Sequence, residues 1–188
     1  MNMTTRKNRY RRLNLKRIIT SSLGATLGIA SIAYLSLAAG MPALMPPLGA
    51  TCFIAFVIPD SAFARPKSII GGHLFSSAVG LFFLHLLGPS PLSFALATGC
   101  AIAAMQLLRI QHPPAAADPL LILLQPPLSF DFLLMPVLSG SIVLALLAKL
   151  FHTLIAPHRY YRIGLFHIAN SCVKSQLFLR RLTKQSRI

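Results

Sequence analysis

Long apolar runs separated by short breaks make up most of the chain. A helix that crosses a bilayer needs about 20 predominantly apolar residues, with a range of roughly 17–25. Residues 18–39, 69–87, 92–108 and 132–151 meet that length. Two further runs, 41–58 and 113–124, are apolar but led by prolines, so each either crosses or re-enters. The pattern predicts an all-α, polytopic membrane protein. Its six apolar segments are four clear spans plus two proline-led broken or half helices.

The two proline-led runs match at an offset of 67 residues. Pro46 and Pro47 align with Pro113 and Pro114, Ala50 with Ala117, Pro59 with Pro126, and Phe63 with Phe130. Each run follows one apolar span and precedes another. Two units of three crossings, at about 18–88 and 92–155, must be inverted relative to each other in the membrane. Inverted repeats are the architecture of many transporters, whose sites lie where broken helices meet.

Charge fixes an expected orientation. Only 11% of residues are charged, Glu is absent, and the acids are Asp60, Asp118 and Asp131. A soluble domain carries about 25% charged residues. The net charge of +15 is concentrated in the tails, with seven Lys or Arg in residues 1–17 and seven after His158. Two basic ends around an apolar body fit cytoplasmic tails, because cytoplasmic loops are enriched in Lys and Arg. That distribution excludes nucleic acid as the expected partner. Six crossings leave Arg65, Lys67 and Arg109 on the same side as the tails, at an inner mouth. The chain thus divides into a basic cytoplasmic tail (1–17), a membrane domain (18–155) and a basic amphipathic tail (156–188). The expected location is a cytoplasmic (inner) membrane, multi-pass.

The diprolines carry the candidate chemistry. Proline has no N–H and a φ already suited to a first helical turn, and it pushes the preceding residue towards an extended form. The runs therefore read as extended backbone turning into helix, followed by small residues: Gly49, Ala50 and Thr51 in one, Ala115 and Ala116 in the other. A helix N-terminus suits an anion. The candidate pathway residues are Pro47, Gly49, Ala50, Thr51, His73, His112, Pro113, Pro114, Ala115, Ala116 and Asp118, because ionisable groups inside a span are expensive to hold there. For each polar group a bland role competes: His73 in packing, His112 in bonding a nearby carbonyl, Asp118 in stabilising a helix start. The histidines share no metal-ligand spacing, and no cofactor is expected.

The run His112-Pro113-Pro114-Ala115-Ala116-Ala117 resembles the signature of the HPP family of integral membrane proteins. Pro47-Leu48-Gly49-Ala50-Thr51, Arg65-Pro66-Lys67 and Gly71-Gly72-His73 are similar to that family's first block. Ala116 departs from the family's usual Gly, and Asp118 from its Thr or Asn. The resemblance implies a membrane protein, some of whose plant and cyanobacterial relatives are implicated in nitrite transport. The leading expectation is a transporter or channel for a small inorganic anion, with nitrite the candidate, using both proline-led helix starts. The alternatives are a proton-coupled or cation-selective transporter built on Asp118, and a non-transporting scaffold. No enzyme is expected, since no catalytic set is placed to act together. Small-residue ladders such as Gly24/Gly28 and Ala95/Gly99/Ala103 permit close packing within the chain or in a homo-oligomer.

Overall fold

The computed structural model describes residues 15–40, 44–125 and 128–155. The expected tails, including the amphipathic helix after residue 156, lie outside the described residues apart from the last three residues of the first tail. Six α-helices follow one another: α1 (Leu15–Ala39), α2 (Pro46–Val57), α3 (Pro66–Leu87), α4 (Pro91–Leu107), α5 (Asp118–Leu124) and α6 (Ser139–Ile155). A 3-10 turn, Pro113–Ala117, leads into α5, and a 3-10 and π segment, Phe130–Leu138, leads into α6. No strand occurs among the described residues.

Prolines set the helix starts. Pro46, Pro66, Pro91 and Pro113 each open an element, where the missing N–H removes no helical bond. At α4 the start is reinforced by a capping box between Ser90 and Ser93. Gly88, with φ +66, ends α3 in a conformation that disfavours other residues.

Three helices, Leu15–Ala39, Pro66–Leu87 and Phe130–Ile155, are long and apolar enough to cross a membrane. The remaining expected span, α4, is a shorter apolar helix of 17 residues, roughly 25 Å at 1.5 Å per residue, at the lower end of the crossing range. The second proline-led run is more broken than its sequence suggests. Pro119 follows two residues after Ala117, and the 3-10 turn gives only a seven-residue α5.

α1 packs on α2 and α6, and α4 packs on α5 and α3. α3 is the central helix, also touching α5 and α6. Of the most apolar stretch of α3, 44% is buried, against 22% for α1, so α1 is mainly lipid-facing. Gly24 and Gly28 let Phe56 seat against α1, and Phe56 meets Phe151 edge-to-face at 5.4 Å. A second cluster, Leu81, Leu84, Ala97, Ile122 and Leu123, closes the α3–α4–α5 side.

The helix directions bring the basic residues together. Arg17 at the start of α1 donates to the Val57 carbonyl at the end of α2, 3.0 Å away. His152 near the end of α6 bonds the Ala55 carbonyl at 2.8 Å. α3 and α4 form a hairpin, so Arg65 and Arg109 lie at its open end, where Ile110 packs on Gly71. Lys16, Arg17, Arg65, Lys67, Arg109 and Lys149 are all the Lys and Arg among the described residues, and they share this end of the bundle.

Candidate functional site

The sequence places Thr51, His73, His112 and Asp118 on four different elements, and the fold brings them into one buried cluster. Thr51 lies on α2, just past the small Gly49 and Ala50. His73 sits two turns into α3. His112 caps the 3-10 turn, and Asp118 opens α5. All four are fully buried. The close approach depends on Gly72: a Cβ there would lie 2.6 Å from the His112 Cβ. Gly80 does the same for Pro119, whose Cα would be 2.8 Å from an added Cβ.

The hydrogen bonds form a single series. His112 Nδ1 donates to the Phe63 carbonyl at 2.8 Å. Thr51 Oγ1 is 2.8 Å from His112 Nε2 and 2.8 Å from His73 Nε2. His73 Nδ1 is 2.8 Å from Asp118 Oδ2, which also accepts from Ser77 Oγ at 3.3 Å. Ser76 Oγ donates to the Ala115 carbonyl, pinning the 3-10 turn to α3. Asp118 Oδ1 is buried with no hydrogen-bond partner. In a bilayer such groups are held only by mutual pairing, and the series satisfies nearly every polar atom it contains. Ser77 lies about halfway along α3, so Asp118 is at mid-depth while Phe63 is at the basic end.

Three cavities trace the diproline seam from one end of the bundle to the other. At the basic end, a cavity of about 480 Å³ is lined by Phe63, Gln106, Gln111, His112, Pro113 and Ala116 among others. A second, of about 500 Å³ and mostly apolar, is shared by Pro46, Pro47, Ala50, Pro113, Pro114 and Ala117. At the far end, about 350 Å³ is lined by Pro46, Gln125, Ser129 and Asp131 among others. Neighbouring cavities share Pro113, then Pro46, Leu121 and Gln125.

The expected pathway residues thus separate into three groups. Thr51, His73, His112 and Asp118 form the polar series, while Pro47, Ala50, Pro113, Pro114 and Ala116 line the seam. Gly49 is exposed and meets nothing, and Ala115 acts through its carbonyl. Arg65, Lys67 and Arg109 are exposed at the open end and do not bond into the series. The helix starts are poor in free N–H groups: both diprolines remove two, and the Leu48 and Ala115 amides donate to the Met45 and His112 carbonyls. The residues missed from sequence are Ser76, Ser77 and the Phe63 carbonyl. Ser76 and Ser77 were findable, because they follow His73 by three and four positions and so share its helix face. Among the described residues no three ligand-type side chains gather to hold a metal.

The transmembrane-region profile of the HPP family matches residues 10–162, which include the whole cluster. The chain belongs to the HPP family. Two transmembrane proteins of Dictyostelium discoideum are similar to it. One is 31% identical over 146 residues, 72% of this chain and 51% of the relative. The other is 26% identical over 160 residues, 79% of this chain and 51% of the relative. This HPP protein therefore spans about half the length of those relatives. No solved structure matches it. Family membership and apolar helices together make it a multi-pass membrane protein.

Proposed function

We propose that this HPP protein moves a small anion across the membrane together with a proton, with Asp118 as the proton site. The observation that carries this reading is a carboxyl at mid-depth, joined through His73 and Thr51 to His112, which lines a cavity. The seam is mostly apolar, and an apolar passage admits a neutral species far more readily than a bare anion. Pairing the anion with a proton supplies that neutrality. Nitrite, the conjugate base of a weak acid and the anion suggested by family resemblance, is the candidate. The anion cradle moves from backbone N–H groups, which the diprolines deplete, to the His112 face of the cavity, where Gln106 and Gln111 add amide donors.

The packing also supports an inverted repeat. α1 on α2 has its counterpart in α4 on α5, α1 on α6 in α4 on α3, and α2 on α6 in α5 on α3. The basic end is then cytoplasmic, by the enrichment of Lys and Arg there. With this orientation, an Arg65→Cys variant in intact cells should resist an impermeant thiol reagent and react only after permeabilisation. Strong labelling from outside would reverse the assigned side.

Uptake by proteoliposomes tests the function. With an acidic exterior near neutral pH, nitrite should enter faster than in protein-free vesicles, and nitrate, the anion of a strong acid, should not. Equal rates with and without protein would leave the cluster as a clamp that holds α2, α3 and α5 together.

A further inference from the structure

We infer that the Phe63–His112–Thr51–His73–Asp118 series is a proton wire in which the Thr51 hydroxyl is the two-way switch. The inference rests on the proton-coupled reading above and assigns an order of transfer within it. The Phe63 carbonyl can only accept, so the facing His112 Nδ1 carries a hydrogen. A neutral His112 then has a bare Nε2, which must receive the Thr51 O–H. Thr51 has one hydrogen, so its oxygen must in turn accept from His73 Nε2–H. That leaves His73 Nδ1 bare when the ring is neutral, facing a protonated Asp118 Oδ2. Every bond in the series points one way.

The opposite polarity uses the same heavy atoms. The Asp118 O–H breaks as an N–H forms at His73 Nδ1. His73 Nε2–H then breaks as its proton passes to Thr51 Oγ1, while the original Thr51 O–H breaks and an N–H forms at His112 Nε2. His73 ends neutral with its hydrogen on Nδ1, Thr51 still has one hydrogen, Asp118 is a carboxylate and His112 an imidazolium. The proton count is unchanged. One positive charge has moved from mid-depth to the cavity wall without any side chain changing place. A cation at His112 is the partner an anion in that cavity needs.

Thr51 has a third setting. Its oxygen is 3.1 Å from the Pro47 carbonyl, to which it can also donate. With the hydrogen there, Thr51 donates to neither imidazole, so transfer stops. Proton movement is thereby tied to α2 at the diproline that lines the seam. The other titratable or charged groups near the series are Cys52, buried under Gly28, the buried His152 of α6, which bonds the Ala55 carbonyl one turn beyond Thr51, and the exposed Arg65, Lys67 and Arg109. Cys52 and the three exposed cations do not bond to the wire among the described residues.

Solid-state NMR of 15N-histidine protein in bilayers reads the ring nitrogens without any anion, with His73→Gln and His112→Gln spectra for assignment. In wild type and Thr51→Ser, the move of the His73 hydrogen from Nε2 to Nδ1 and the gain of an N–H at His112 Nε2 should appear together, at one common midpoint. Thr51→Val keeps the shape but lacks the hydroxyl. It should separate the two responses and lower pH-driven nitrite uptake by about tenfold or more, in protein that still melts cooperatively although the two facing ring nitrogens lose a partner. Independent midpoints in wild type, a common midpoint in Thr51→Val, or undiminished uptake by Thr51→Val would each overturn the wire. If the nitrogens respond together but no anion is carried, the wire stands and the transport reading falls.

Discussion

Asp118→Asn should abolish nitrite uptake driven by a pH gradient, by about tenfold or more, while leaving a folded protein. Asn nearly matches Asp in shape, and its amide oxygen in the Oδ2 position can accept from both His73 Nδ1–H and Ser77 Oγ, the two partners of Asp118 Oδ2. It cannot lose or gain a proton near neutral pH. The variant separates two roles that the geometry superimposes. A carboxyl that only braces the start of α5 would be replaced by Asn with a small change in stability and no change in pH dependence. A carboxyl that loads the coupling proton would lose all acceleration by an acidic exterior. Uptake by Asp118→Asn that still rises with the gradient as in wild type would make Asp118 a brace.

Gly72→Ala should be almost as damaging, through geometry alone. One methyl group at this position falls 2.6 Å from the His112 Cβ and 3.5 Å from the Ala115 Cβ. Neither neighbour is the end of a flexible side chain. The 3-10 turn must move away from α3, which lengthens the 2.8 Å contact between His112 and Thr51. Overpacking of this kind destabilises by about 1–3 kcal/mol, and the break in the polar series should remove uptake as well. Gly99→Ala is the matched control. Nothing lies within 4 Å of an added Cβ on that face of α4, so stability and uptake should stay near wild type. Thermal melting in detergent together with uptake would check both. A Gly72→Ala protein with unchanged melting and uptake would mean that α3 and the turn are not held as closely as described.

The coarse architecture was legible because lipid imposes a simple rule: apolar length marks helices, and prolines mark their starts. The diprolines and the breaks at Gly40 and Gly88 were readable on those grounds, whereas the central place of α3 follows only from its packing. α4 keeps the 17-residue length read from the sequence but sits one residue earlier, because Pro91 opens it and Leu108 lies past its last turn. The second broken segment was read as a copy of the first. Pro119, with no equivalent in α2, shortens its helix and places Asp118 at a new start.

The candidate residues were found singly, not as a set. His73, His112, Thr51 and Asp118 stood out as polar groups in apolar runs, but 22 to 61 residues separate the pairs that bond. No periodicity links residues on different helices, so their pairing depends on tertiary packing over Gly72. The free N–H groups assigned to the helix starts illustrate the opposite error. Proline's fit to a first turn was weighed, and its removal of the donors an anion would use was not.

The most direct measurement of the central claim is the net charge moved per transport cycle. Nitrite and proton entry should be recorded together in proteoliposomes clamped at different membrane potentials with potassium and valinomycin. If the anion travels with a proton along the diproline seam, the two fluxes are equal, and the rate at fixed pH gradient does not change with voltage. Nitrite entry that follows the voltage and carries no proton would contradict the account.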